Sequence, residues 1–348
     1  MLFYNRIDCI DMETDVIRTF PDDPYVYLQA DNRWYYYDPQ QNPLGEGAMG
    51  KVFLGYDYET REPVAIKQLF DQYAANASVR DRAMTEGMLA YRHPNIVEML
   101  GCAIYQDECN EYHMWVLSRF VDGMNIDKYV ATNYPSAEPE QKARRTADLI
   151  MLVLDGLDYL HYRGIIHRDI KPSNIMVEKN GNVRLMDLGI ARVTGSNKFT
   201  SVGFVGTPLY ASPEQIKRET EHQQATAASD IYSLGVTFYA LLTGSNPFEA
   251  TTDVDVLVNQ VTKKLPPTNL IPRPLMKVIA KATEKNPLDR YQTALDFKAA
   301  IRQAFEEKDS FWKQFCQRMS NGDLWKWIVG GCCFVIVFLL VLIITNTL

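Results

Sequence analysis

The sequence predicts an α+β fold in two lobes, with a single membrane-spanning helix at the end of the chain. The small lobe is antiparallel and β-rich with one helix, and the larger lobe is helical. Three observations predict this. From Trp34 to about Lys67, short β-branched and aromatic runs alternate with glycines and charged turns, the pattern of antiparallel strands. Beyond Asp122-Gly123 the spacing of apolar residues becomes helical, so strands followed by helices give two segregated layers. From Trp327 to Leu348 no residue is charged.

Residues 1–32 are mixed and acidic, with the proline-punctuated stretch Phe20-Pro21-Asp22-Asp23-Pro24. They read as an N-terminal extension ahead of a domain over 33–305. Within that domain a small lobe covers 33–121 and a large lobe 122–305, with Asp122-Gly123 as the hinge. A helix is predicted from Ser78 to Arg92, stopping at His93-Pro94 because the residue before a proline disfavours helical backbone. Strands return at Ile96–Leu100 and Met114–Phe120. Ala143–Tyr162 places Ile150, Val153, Leu154, Leu157 and Leu160 at helical spacing and ends at Gly164. Asp230–Leu242 is almost wholly apolar and reads as a core helix. Leu275–Lys285 and Thr293–Glu306 complete the helical lobe.

The 348 residues are 47% hydrophobic and 23% charged, a globular composition with room for a sizeable core. A formal net charge of −7 argues against nucleic acid as a partner. The six cysteines show no C-x-x-C and no paired spacing, which fits a reducing compartment. Arg6, Asp8 and Asp11 break any apolar run near the start, so no signal peptide can form there.

Residues 327–346 are assigned as the transmembrane helix, after a juxtamembrane segment at 306–326. As a helix the apolar run is roughly 25–30 Å long, about one hydrocarbon core. Trp325 and Trp327 stand where an interfacial belt would be, and Lys313, Arg318 and Lys326 precede them. A buried core helix is the competing reading. The basic flank puts the preceding domain in the cytosol.

The chemistry sits in the domain. Leu44, Gly45, Glu46, Gly47, Ala48, Met49, Gly50, Lys51 and Val52 spell L-G-x-G-x-x-G-x-V. Glycines there let backbone N–H groups come close to phosphate. Alone this pattern is weak, and a dinucleotide-binding turn needs a helix directly after it. Val52-Phe53-Leu54-Gly55-Tyr56 reads as a strand instead, which favours a hairpin lid. Val64-Ala65-Ile66-Lys67 follows, then His167-Arg168-Asp169-Ile170-Lys171-Pro172-Ser173-Asn174, then Asp187-Leu188-Gly189.

With these motifs in this order, residues 33 to about 303 resemble the eukaryotic-type (Hanks-type) serine/threonine protein kinase family. Gly206-Thr207-Pro208-Leu209-Tyr210-Ala211-Ser212-Pro213-Glu214 resembles the segment that closes the activation loop. Ser229-Asp230-Ile231-Tyr232-Ser233-Leu234-Gly235 resembles the central helix of the large lobe. Asn286-Pro287-Leu288-Asp289-Arg290-Tyr291 resembles the late arginine element, whose Arg290 should pair with Glu214. The pattern Arg290–Phe297 is closer to bacterial members, which places the protein in a bacterial inner membrane. Because the chain stops at Leu348, activation is expected from the cytosolic side, the N-terminal extension or association within the membrane.

The resemblance implies an ATP- and Mg²⁺-dependent enzyme that moves the γ-phosphoryl group onto Ser/Thr hydroxyls of protein substrates. It implies that Asp169 orients the hydroxyl and takes its proton, and that Lys171 stabilises the transferring group. Asn174 and Asp187 would hold the metal, and Lys67 would anchor the phosphates. The nucleotide would lie on Leu44 to Val52 and Ala65, with the Arg119 carbonyl and Val121 amide facing adenine. Ser118 would guard the back pocket, and its small size predicts an accessible one. Serine/threonine specificity rests on the lysine of Asp169-Ile170-Lys171-Pro172-Ser173-Asn174, with Thr207 in support.

Two positions depart from the family pattern. Leu188 replaces the phenylalanine of D-F-G. The acidic partner of Lys67 should lie on the helix 78–92, where gapless counting reaches Met84; Glu86, two residues on, is the candidate. Arg168 before the catalytic aspartate implies control by phosphorylation, with Thr200 and Ser201 as candidate sites and a homodimer for autophosphorylation in trans. Two other readings stay open: a nucleotide-binding pseudokinase scaffold, and a small-molecule kinase of related fold.

Overall fold

The computed structural model describes residues 16–47, 49–77, 79–81, 84, 92–187, 199–200, 203–204, 208–217 and 225–306. Residues 1–298 form one compact unit, and a second unit runs from 299. Residues 294–306 are helical.

One antiparallel sheet makes the small lobe. Its strands are β1 (Ile17–Phe20), β2 (Asp23–Ala30), β3 (Arg33–Tyr37), β4 (Gly45–Gly47), β5 (Gly50–Asp57), β6 (Pro63–Leu69), β7 (Met99–Gln106) and β8 (Tyr112–Arg119). Their order is β1-β2-β3-β5-β6-β8-β7, with β4 paired to β5. The alternation of strand side chains explains how β8 serves two cores. Trp115 and Leu117 join Leu28, Tyr35, Phe53 and Ile66 on one face, and the Trp115 indole donates to the Tyr37 hydroxyl at 2.9 Å. Met114 and Val116 join Leu69, Val79 and Met99 on the other.

Residues 17–30, read from sequence as an extension outside the domain, belong to this sheet: β2 pairs with β3 from Val26↔Tyr37 to Ala30↔Arg33. The Asp31-Asn32 turn is tight, both residues having positive φ (48° and 60°), a conformation Asp and Asn tolerate. Leu28 and Ala30 are fully buried. The two prolines sit where they cost the ladder little. Pro21 lies in the turn, and Pro24 lies early in β2 at the turn end of the hairpin.

The strand expected at Ile96–Leu100 instead begins at Met99 and continues to Gln106. Ile96 makes an isolated bridge to Leu185, so it ties the sheet to the other lobe. Of the helix expected at 78–92, residues 79–81 and 84 are described and helical, Arg92 is described and lies outside any helix, and the rest lies outside the described residues.

Gly123 opens β9 (Gly123–Asn125), which pairs with β10 (Ile175–Glu178), itself paired with β11 (Val183–Leu185). This short sheet begins next to Asp122-Gly123, the position expected from sequence for a hinge. The helix expected at Ala143–Tyr162 spans Pro139–Tyr162, with proline in its first turn. The core helix spans Ala227–Thr243 and is buried from Ala228 to Leu242. It lies so close to the helix Arg273–Ala282 that a Cβ on Gly235 would come within 2.8 Å of the Thr283 methyl. Two shorter helices, Ile126–Asn133 and Asp253–Thr262, were not read from sequence.

Among the described residues no helix is long and apolar enough to cross a membrane. The transmembrane helix assigned to 327–346 and the juxtamembrane residues after 306 lie outside the described residues.

Candidate active site

The glycine motif forms a hairpin. Gly45 pairs with Val52, Glu46 with Lys51 and Gly47 with Gly50, and the Leu44 amide donates to the Val52 carbonyl at 2.7 Å. No helix follows, which excludes a dinucleotide-binding turn. Gly50 is required by crowding, since a Cβ there would lie 2.0 Å from the Gln68 carbonyl oxygen. Ala48 lies outside the described residues. Lys67 sits on β6 directly across from Val52, which brings its ammonium under the hairpin.

The catalytic loop is held by a single buried carboxylate. Asp230, fully buried on the core helix, accepts the His167 amide at 2.9 Å on Oδ2 and the Arg168 amide at 2.7 Å on Oδ1. The His161 ring approaches Oδ2 at 2.8 Å. This clamp stabilises an unfavourable backbone, as Arg168 has φ of 66°. The His167 Nε2 faces the Met186 carbonyl at 2.9 Å and its Nδ1 faces the Asp169 amide at 3.3 Å. A carbonyl only accepts and an amide only donates, so these contacts select the neutral Nε2–H tautomer. Sequence reading gave Asp230 no role, although a carboxylate in an almost wholly apolar helix requires buried donors.

Around that loop the expected residues converge. Lys171 Nζ lies 3.0 Å from Asp169 Oδ2. The Asn174 side-chain amide donates to the same oxygen at 2.9 Å and to the Asp169 carbonyl at 2.8 Å. Asn174 is buried and has spent its nitrogen on Asp169, so its remaining side-chain atom is an oxygen. Met186 joins this loop to the next motif, its amide donating to the Asn174 carbonyl at 2.8 Å. Asp187 follows with φ of 50°, and its Oδ2 lies 2.9 Å from Lys67 Nζ. Contacts therefore run from Lys67 to Asp187, then through the backbone of Met186 to Asn174, and on to Asp169 and Lys171.

Ser118 lies half-buried across from Ala65 on one side and Met99 on the other. Arg119 points outward to Glu98 at 3.2 Å, and Val121 is buried. Glu86 lies outside the described residues; among them the carboxylate at Lys67 is Asp187. Leu188, Gly189 and Ser201 also lie outside. Thr200 falls in a two-residue strand, Phe199–Thr200, paired with Gly203–Phe204.

The outer wall is anchored by Arg290, which donates to Glu214 through Nη1 and Nη2 at 2.8 and 2.9 Å. Both side chains are buried, and Ser229 adds a hydrogen bond to Glu214 at 2.6 Å. Burial alone would raise the Glu214 carboxyl, but the Arg290 guanidinium and the serine hydroxyl overcome it and hold it below its ordinary range. Gln215 reaches back to the Arg168 carbonyl at 3.0 Å, joining this wall to the catalytic loop.

The protein kinase domain family model matches residues 39–306, so this chain belongs to that family. Its relatives are bacterial serine/threonine-protein kinases. PknB of Mycolicibacterium smegmatis is 36% identical over 276 residues, covering 76% of this chain and 42% of its own length. PrkC of Bacillus subtilis is 32% identical over 270 residues, covering 76% and 40%. The chain thus spans less than half the length of these relatives. The crystal structure of the Mycobacterium tuberculosis PknI kinase domain matches with a TM-score of 0.58 at 23% identity, covering 84% of this chain and all of that one. That likeness concerns the fold.

Proposed function

We propose that this chain is an ATP-dependent serine/threonine protein kinase of the bacterial Hanks type. The observation that carries this reading is the joined set Asp169, Lys171, Asn174, Asp187 and Lys67. Phosphoryl transfer needs positioning, charge neutralisation and a proton acceptor, and these five side chains supply each. The substrate hydroxyl oxygen attacks the γ-phosphorus as the bond to the β,γ-bridging oxygen breaks, and the proton passes to the Asp169 carboxylate. Asn174 and Lys171 on Oδ2 fix that carboxylate's orientation. Lys171 also faces the charge on the transferring group.

The Asn174 and Asp187 oxygens are hard donors of the kind Mg²⁺ prefers, and Asp187 is about half exposed toward the cleft. When bound, the ion would neutralise phosphate charge. Lys67 then exchanges its Asp187 contact for the α- and β-phosphates, with Glu86 as its partner. The hairpin from Leu44 to Val52 covers the phosphates, and Ala65, Ser118, Arg119 and Val121 line the adenine side.

The segment boundaries (a catalytic domain ending at 305 whose sheet starts with β1, 306–326 juxtamembrane, 327–346 transmembrane), the cytoplasmic placement at a bacterial inner membrane and the homodimer belong to this same proposal. So do Thr200 and Ser201 as phosphorylation sites. Mass spectrometry after incubation with MgATP tests the last, and an unmodified 190–207 segment in active enzyme rejects it. Incorporation of radiolabelled phosphate from ATP into a generic basic protein tests the activity, and serine or threonine must carry the label.

A further inference from the structure

Under the wall of the site lies a buried polar chain that neither phosphoryl transfer nor the Glu214–Arg290 pair uses. Lys285 Nζ donates to the Tyr232 hydroxyl at 2.7 Å and to the Gln260 backbone carbonyl at 2.8 Å. The Tyr232 hydroxyl donates to Gln260 Oε1 at 2.7 Å. Gln260 Nε2 donates to the Leu209 carbonyl at 2.5 Å, where the Asn246 side-chain amide also donates at 2.9 Å. With Lys285 protonated the directions follow. Ammonium only donates and a backbone carbonyl only accepts, so the tyrosine and glutamine must pass the polarity from one to the other.

The surroundings make this chain stiff. Tyr232 and Gln260 are fully buried. Tyr232 packs with Val236 and Phe248, and Tyr210 lies against that cluster. The Lys285 ammonium sits 4.2 Å from the centre of the Phe248 ring. Its bond to the Gln260 carbonyl also satisfies an acceptor left over in the last turn of the helix Asp253–Thr262. Burial and, second, Arg290 lower the Lys285 ammonium to about 7, so this environment is dry enough to make its hydrogen bonds strong.

We propose that Lys285, Tyr232 and Gln260 form a positioning unit that fixes the Leu209 carbonyl, and with it the Pro208–Tyr210 stretch, whose Tyr210 lines a cavity together with Pro172 of the catalytic loop, as a seat for the protein substrate. This rests on the kinase reading above. The same turn thereby holds the wall at two points: Arg290 grips Glu214, and Lys285, whose own carbonyl accepts from Arg290 at 3.0 Å, grips Leu209 through the relay. The unit touches no reacting atom. Its effect is to keep the substrate seat in one place while nucleotide binds independently.

The test is steady-state kinetics on the full chain with MgATP and a generic basic protein. Tyr232→Phe keeps the ring and removes the relay hydroxyl. Gln260→Glu keeps the shape and sets an oxygen against the Leu209 carbonyl. The protein-substrate KM should rise about fivefold and about tenfold respectively, while the KM for ATP and kcat stay within about twofold. Gly235→Ala destabilises the same core helix from its Thr283 side and should lower the melting temperature without moving the substrate KM. An unchanged substrate KM in both relay variants overturns the proposal. So does a rise of equal size in Gly235→Ala, or a parallel loss of ATP affinity. A wild-type chain that labels no protein overturns the kinase reading itself, and the positioning unit with it.

Discussion

Asp169 and Lys67 serve the same proposed reaction, yet the protein holds them in opposite ways. The loop carrying Asp169 hangs from Asp230, a fully buried carboxylate that receives two backbone amides and a histidine. Among the described residues, Lys67 is held at its tip by an ion pair to Asp187, whose side chain is 49% exposed. Buried, satisfied networks are costly to disturb, whereas half-exposed ion pairs contribute little. The proton acceptor is therefore built in advance. The proposed phosphate anchor can change partner at little cost.

Substitutions should separate the two halves by size of effect. Arg290→Met leaves Glu214 charged and unpaired in the core. Breaking a buried pair from one side costs about 3–5 kcal/mol, or roughly 5–9 °C in melting temperature for a domain of this size; calorimetry reads it. Asp230→Asn keeps the shape but sets an NH2 group either against the Arg168 amide or against the His167 amide and His161. It should cost about 2–3 kcal/mol, with kcat falling while ATP affinity, read by a fluorescent nucleotide, persists.

Lys285 gives a smaller, pH-dependent effect. Its ammonium stands near 7 in the folded chain, lowered by burial first and Arg290 second, with Glu284 opposing. The unfolded chain keeps the proton up to about 10.4. Between those values the unfolded state binds more protons, so this residue makes stability rise with pH, by at most about 1.4 kcal/mol per unit. The difference in melting temperature between wild type and Lys285→Met should widen in favour of wild type from pH 7 to pH 9. The smallest effect belongs to Lys67→Met, which should shift stability by no more than about 1 kcal/mol yet abolish transfer. A large loss of stability there would erase the contrast between the halves.

Much of this was legible in the sequence, because phosphate chemistry restricts residue types strongly. Glycines at 45, 47 and 50, Lys67, and the run His167 to Asn174 left few alternatives once their order was seen. Helix Pro139–Tyr162 was readable because a long amphipathic period outweighs local noise. The β1–β2 hairpin was not, since Pro21, Pro24 and two aspartates mask the alternation that buries Leu28 and Ala30. Helices Ile126–Asn133 and Asp253–Thr262 span two or three turns, too short for a period to stand out. The clamp of Asp230 and the relay from Lys285 depend on residues far apart in the chain meeting in the core. No spacing in the sequence encodes such a meeting, although a charged side chain inside an apolar helix points toward it.

In the proposed reaction a rigidly held Asp169 carboxylate accepts the proton of a substrate hydroxyl. Radiolabelled phosphate transfer from ATP to a generic basic protein, compared between wild type and Asp169→Asn, tests it most directly. The asparagine keeps the shape and the contact with Asn174 while removing the base. Transfer should fall on the order of 10³-fold or more with nucleotide binding intact, and equal labelling by the two proteins would contradict the account.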